Sequence, residues 1–203
     1  YTSDHGEYAC EFGLLEKAPG ICSDAVTRVP QIWRWPGQIK SGHRSSRIVE
    51  SIDIATTCAS LASMDGFDGS DGKNISPLLR GEDIEFHRIG VTEHPWSKSI
   101  RKGAWRLVHY PLAMFADESP GVQVGELYNL HEDAWEMNNL FYQGDYQGVI
   151  DELRNELLDW MVTTCRISSA IPALPAEHLA HDGRISADAV RDLLHGQGTR
   201  NYL

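Results

Sequence analysis

Three kinds of hydrophobic patterning succeed one another along the chain. At the start, Tyr1-Thr2-Ser3-Asp4-His5-Gly6-Glu7 passes from an aromatic and a β-branched residue into Asp, His and Gly. That order predicts the end of a strand opening into a loop. Val29-Pro30-Gln31-Ile32-Trp33-Arg34-Trp35 reads as a second strand closed by Pro36-Gly37, with Pro30 confined to its start or to a sheet edge. Between Arg47 and Met64 the period becomes helical: Ile54, Cys58, Leu61 and Ala62 share a face, and Asp53 is placed as the N-cap. Asp65, Asp68 and Asp71, interleaved with Gly66, Gly69 and Gly72, predict a loop. A turn at Arg80-Gly81-Glu82-Asp83 follows Ile75 to Leu79.

From residue 88 the runs are short and rich in β-formers. Ile89 to Thr92, Ser99 to Arg101, Ala104 to Tyr110 and Glu126 to Leu130 predict antiparallel strands, with Lys102-Gly103 as a hairpin connection and a longer loop at Ser119-Pro120-Gly121. Val149, Leu153, Leu157, Trp160, Met161 and Cys165 then form a stripe at helical spacing. Beyond Ile167, Pro172 and Pro175 interrupt the pattern. A short helix is expected between an N-cap at Ser186 and a stop at Gly196.

Composition narrows the function classes. The 203 residues are 41% hydrophobic and 23% charged, as in ordinary globular domains. The net charge of −11 argues against nucleic-acid binding, because phosphate backbones would repel it. No apolar run approaches the ~20 residues of a membrane span. The first residue is Tyr1 and no basic-then-apolar leader precedes the pattern, so the chain reads as a piece of something longer. Four cysteines are too few for a disulfide scaffold. Cys10 and Cys22 are free to pair with each other, whereas Cys58 and Cys165 read as buried thiols. No C-x-x-C spacing supports structural zinc.

Asp4 and His5 are the most suggestive chemical pair. They stand where a strand should stop, which is where α/β sheets place ligands, and Gly6 lets the backbone turn there. An Asp oxygen suits a hard divalent cation such as calcium or magnesium, and an imidazole tolerates manganese or zinc. On the residues alone, a turn whose Asp and His cap local backbone groups is the simpler reading. Lys17 can hold a sulfate or phosphate as a point charge, or be a surface lysine. Glu93-His94-Pro95-Trp96 combines a carboxylate, an imidazole and an aromatic, as in a sugar-binding or acid/base site, against a turn packed on the small sheet. His178 and His181 could share a metal or occupy a polar helix turn. The Asp65, Asp68 and Asp71 run lacks EF-hand spacing. Trp105, Trp135 and Trp160 read as core residues.

Taken in order, Thr2 to Glu7, Lys17, Arg28-Val29-Pro30, Trp35-Pro36-Gly37, Ile52 to Thr57, Asp71-Gly72, Ser76 to Gly81, Glu126 to Leu130, Glu136 and Asn139-Leu140 form a recognisable series. From Tyr1 to about Cys165 it resembles the C-terminal portion of the type I sulfatases, within the alkaline-phosphatase-like superfamily. The spacing from His5 to Lys17 is most similar to the iduronate-2-sulfatase-like branch. The resemblance implies an α/β fold: residues 1–85 as the C-terminal part of the catalytic domain and 86–166 as a small antiparallel sheet packed with a helix; 167–203, beyond the resemblance, reads as a tail with a short helix.

By the same resemblance, Asp4 and His5 are ligands of an active-site divalent cation, calcium foremost. Lys17 contacts the sulfate, and Lys17 and His5 are the catalytic side chains of this part; His94 remains a candidate substrate-binding residue from the Glu93–Trp96 pattern alone. The implied activity is hydrolysis of a sulfate ester on a small molecule or sugar. Two alternatives are a phosphoester or phosphonate ester hydrolase and a non-catalytic binding or structural remnant. The family's nucleophile, a formylglycine made from the cysteine of C-x-P-x-R or C-x-S-x-R, is expected in an N-terminal half that acts as partner. Here Cys10, Cys22, Cys58 and Cys165 are followed four residues later by Leu14, Val26, Ala62 and Ser169, never by Arg. Ser97-Lys98-Ser99-Ile100-Arg101 matches a serine-type pattern, but in a hairpin rather than at a helix start. Periplasmic, secreted and lysosomal sites all agree with the resemblance.

Overall fold

The four β-forming runs between residues 88 and 130 pair in simple meander order. A computed structural model describes residues 1–17, 22–64, 70–94, 96–115 and 121–164, all within a compact unit Tyr1–Thr164. In it β1 (Gly90–His94), β2 (Ser97–Lys102), β3 (Trp105–His109) and β4 (Gly125–Asn129) form an antiparallel sheet in the order β1-β2-β3-β4. The β2–β3 connection is the expected one at Gly103, whose φ of +58° is the left-handed conformation that a tight hairpin demands. The expected strands are each displaced by only a residue or two.

Strand alternation divides the sheet into two faces, both covered. Ile100, Leu107 and Leu127 point to one side and pack with Ile150, Leu153 and Leu157 of α4 (Gln147–Thr164) and with Leu140. The expected stripe held for Leu153 and Leu157, while Ile150 replaces Met161, which is exposed. Lys102 reaches over from β2 to Glu152 (2.6 Å) and Glu156 (2.7 Å) of α4. On the other face Val108 and Tyr110 pack with Cys22, and Arg106 turns inward. Among the described residues no helix is long and apolar enough to cross a membrane.

The first 85 residues depart further from expectation. Neither Tyr1–Glu7 nor Val29–Trp35 is a strand; the two segments are extended and meet at one place, where Tyr1 and Ile32 exchange backbone hydrogen bonds of 2.7 and 2.8 Å. One such exchange is too little for a ladder. Between them lies α1 (Asp24–Thr27), a single turn capped by the Ser23 hydroxyl, which accepts from Ala25 N–H.

The helical region is α2 (Ile52–Leu61), and Asp53 is not its cap. Asp53 sits inside the first turn, fully buried, and its carboxylate accepts from the Glu50 N–H (2.8 Å), the Lys73 N–H (2.7 Å) and His87 Nε2 (3.0 Å). The buried face is therefore Asp53, Thr57 and Ala59. Cys58 is exposed, contrary to its apolar pattern, because burying the carboxylate rotates the helix. Cys10 and Cys22 are both free thiols, one exposed and one buried. A short helix, α3 (Ser76–Leu79), ends in the expected turn. Trp135 is exposed rather than core, whereas Trp105 and Trp160 pack against the α4 cluster. Asp65, Asp68, Cys165, His178, His181 and the Ser186 helix lie outside the described residues.

Candidate active-site loop

A buried tyrosine brings the two ends of the first loop together. Tyr8 is fully buried, and its N–H donates to the Glu16 carbonyl at 2.9 Å. Cys10 N–H bonds to Leu14 O, also at 2.9 Å, so residues 8–16 close on themselves. The closure is tight: Ala9, Cys10, Phe12 and Glu16 all take positive φ, between 47° and 78°. Non-glycine residues adopt that region at a cost, and such strain concentrates at functional loops. Its consequence is that Lys17, twelve positions after His5 in sequence, returns to the same cavity as His5.

Gly6 fixes the other side of the loop. Its N–H donates to the Val26 carbonyl of α1 at 2.7 Å. A Cβ on this residue would stand 2.1 Å from Ala25 O, so only glycine permits the approach. The position of α1 is set in turn from the sheet. The Arg106 guanidinium, 2% exposed, donates through Nη1 to Asp24 Oδ1 (2.9 Å) and to Glu136 Oε1, and through Nε to Ser99 Oγ (3.2 Å). Glu136 also accepts the Asp24 N–H at 3.1 Å. Burial pushes the Glu136 carboxyl up, and Arg106 and the Asp24 amide pull it down. Among the described residues β2 and β3 supply no wall of this cavity, but through Asp24 the sheet anchors α1, whose C-cap residue Arg28 does line it.

Asp4, His5, Lys17 and Arg28 line one cavity of ≈ 610 Å³, together with Glu7 and Glu16. His5 Nδ1 lies 2.8 Å from the Gly6 carbonyl, which can only accept. The proton therefore sits on Nδ1, and the Nε2 lone pair is free to bind a metal. Nε2 is 3.5 Å from Asp4 Oδ2, with the two side chains 43% and 84% exposed. The Ser3 hydroxyl donates to the His5 carbonyl (2.8 Å) and lies 3.2 Å from Asp4 Oδ1. The His5 N–H, the Asp4 amide and the Ser3 hydroxyl hold the Asp4 carboxyl below the ordinary aspartate value, so it is ionised at neutral pH.

An ionised oxygen and an imidazole lone pair 3.5 Å apart suit neighbouring positions in one coordination shell, where calcium–oxygen bonds are ~2.3–2.6 Å. They are two donors of the six to eight that calcium takes, and the described residues contain no group of three or more metal-ligating side chains. The pair fits part of a metal site, with further ligands to come from elsewhere. His94 is not part of the cavity: it ends β1, pairs in register with Ser97 and stacks edge-on against Trp96 at 5.3 Å between ring centres. Ser97, in the serine-type pattern, lies on β2 rather than at a helix start. Sequence reasoning noted Arg28 only as a matching piece; its place on the cavity wall follows from the turn of α1.

The family profile described as N-sulphoglucosamine sulphohydrolase, C-terminal, matches residues 10–163. The chain belongs to this sulfatase family. Individual relatives are sulfatases and proteins of the same fold. An ulvan-active sulfatase of Formosa agariphila is 25% identical over 79% of this chain and 36% of its own length. A solved structure in complex with its substrate D-glucosamine-2-N,6-O-disulfate is 25% identical, with a TM-score of 0.67 over 80% of this chain and 33% of that one. A phosphonate monoester hydrolase of Agrobacterium radiobacter, at 22% identity and a TM-score of 0.69, shares the fold over 87% of this chain and 37% of its own. This sulfatase-family chain therefore has the C-terminal part of an alkaline-phosphatase-like α/β fold, and it spans about a third of the length of these proteins.

Proposed function

We propose that this chain is the C-terminal part of a hydrolase of sulfate esters borne by a sugar or other small molecule. The observation that carries the reading is the convergence of Asp4, His5 and Lys17 on one cavity, with Nε2 of His5 beside the Asp4 carboxylate. Asp4 and His5 Nε2 would hold a divalent cation, calcium by preference for the carboxylate oxygen. Such a cation supplies charge stabilisation at the sulfate oxygens. The Gly6 carbonyl keeps the His5 proton on Nδ1, leaving Nε2 as donor. Lys17, whose ammonium has no ion pair among the described residues, binds the sulfate and favours departure of the alcohol oxygen. The twelve-residue step from His5 to Lys17 supports a reading within the iduronate-2-sulfatase-like branch. The formylglycine nucleophile and the remaining ligands belong to an N-terminal portion that completes the site.

Kinetics of the full-length protein test the proposal. With an aryl sulfate and calcium, Lys17→Ala should lower kcat/KM by ~10² or more, the scale of a lost transition-state contact. Asp4→Asn should raise the calcium concentration needed for half-maximal rate. Residues 1–203 alone should give little or no turnover, since they carry no cysteine in the formylglycine pattern. Unchanged kinetics in Lys17→Ala would remove that residue from the site. A phosphonate monoester turned over faster than the sulfate would favour the second reading, hydrolysis of phosphoesters or phosphonates on the same fold.

A further inference from the structure

The cavity has a second cation that the chemistry above does not use. Arg28 caps the end of α1, its N–H bonded to Asp24 O at 3.0 Å, and the following Val29 and Pro30 continue the cavity wall. The root of the side chain is thus fixed, while its head is 71% exposed. Its carboxylate neighbour, Asp24 Oδ2, stands 3.8 Å away, too far for a hydrogen bond. That carboxylate is already committed: its Oδ1 takes the buried Arg106 at 2.9 Å, and Arg101 lies 3.6 Å from Oδ2. Three guanidinium groups share one carboxylate, and Arg28 has the weakest hold. Its planar fork of N–H donors, matched to a carboxylate or sulfate, is available to the cavity.

We infer that Arg28 forms a subsite for a second oxyanion on the substrate, a uronate carboxylate or a second sulfate of the same sulfated sugar. The inference rests on the sulfatase reading and adds a substrate class to it. The remaining wall makes the discrimination steep. With Asp4 engaged by the cation, Glu7 and Glu16 bring two further carboxylates to the cavity against Lys17 and Arg28. Without Arg28, a doubly anionic sugar would face those carboxylates with Lys17 already engaged by the sulfate under attack. A singly anionic sugar makes no such demand.

Competition against aryl sulfate turnover by the full-length protein, with calcium present, reads this directly and does not depend on which ester is cleaved. Three competitors are needed: methyl glucoside 6-sulfate, D-glucosamine-2-N,6-O-disulfate and 2-O-sulfated glucuronate. The wild type should bind one of the two doubly anionic sugars more tightly than the singly anionic one, and the arm that wins identifies a sulfate or a carboxylate as the occupant. Arg28→Ala should raise the Ki of that sugar about tenfold more than the Ki of the singly anionic one, the scale of a charge-assisted bond. Arg28→Lys, which keeps the charge and loses the fork, should fall between, and it replaces Arg28→Ala if thermal melting finds the alanine variant unfolded. Equal Ki changes across all three sugars, or a wild type that does not distinguish them, would overturn the subsite while leaving the sulfatase reading intact. No aryl sulfate turnover by the wild type would overturn both.

Discussion

Replacing Gly6 by Ala tests how the loop is held. The added Cβ would lie 2.1 Å from Ala25 O, 3.1 Å from Ala25 C and 3.3 Å from Val26 Cα, all backbone atoms that no side-chain rotation can clear. An ordinary carbon–oxygen contact is ~3.3 Å, so the loop and α1 must separate by roughly 1.2 Å. That motion breaks the 2.7 Å bond from Gly6 N–H to Val26 O. The lost hydrogen bond costs about 1 kcal/mol and the overpacking another ~1–3 kcal/mol. α1 cannot simply yield, because Arg106 and Glu136 tie Asp24 to the sheet, so the displacement falls on Asp4 and His5. A misplacement of about 1 Å at reacting groups is worth ~10² in rate. The assay pairs urea denaturation with aryl sulfate turnover of the full-length protein, with Gly144→Ala as control, since a Cβ there meets nothing within 4 Å. The expected result is a loss of ~2–4 kcal/mol and a fall of ~10² in kcat for Gly6→Ala alone. A Gly6→Ala protein with wild-type stability and rate would refute the reasoning.

Glu136→Ala should destabilise by about 3–5 kcal/mol in denaturant unfolding, because it leaves the buried Arg106 with Asp24 as its remaining carboxylate. Leu153→Ala, which empties the contact between α4 and the sheet, should cost about 2–5 kcal/mol by the same measurement. His109 supplies a pH test: burial, then Arg154, pushes its pKa below the ordinary 6.5, and its buried Nδ1 has no hydrogen-bond partner among the described residues. A base with a depressed folded pKa contributes stability above its unfolded value and loses it as pH falls through the folded one. The wild type should therefore lose stability relative to His109→Gln as pH drops below 6.5, and parallel curves would contradict the burial argument.

The parts of the fold that were legible in the sequence are those whose determinants are local. β1 to β4 announce themselves by short β-forming runs with turns between them, and α4 by its stripe. The early segments misled because strands need partners: the residues from Tyr1 to Glu7 and from Val29 to Trp35 have the right side chains, yet they share one backbone exchange. Asp53 looked like a cap because an aspartate ahead of an apolar run always does. What makes it a hub are the Lys73 amide and the His87 imidazole, 20 and 34 residues away. In the cavity, Asp4 and His5 stand out from the residue pattern and Lys17 through the family resemblance, and the strained closure around Tyr8 explains their convergence. Arg28 was less visible: its availability depends on Arg106 claiming Asp24 from 82 positions away. The link between sheet and site is therefore a property of packed charge.

The claim on which the account turns is that the Asp4–His5 pair binds a cation beside an anion held by Lys17. A crystal structure of the full-length protein grown with calcium and inorganic sulfate measures it directly. The account expects a calcium ion ~2.3–2.6 Å from an Asp4 carboxylate oxygen, with His5 Nε2 turned toward it and a sulfate oxygen within hydrogen-bond reach of Lys17 Nζ. Calcium bound elsewhere, with Asp4 and His5 still paired only to each other and Lys17 in solvent, would contradict it.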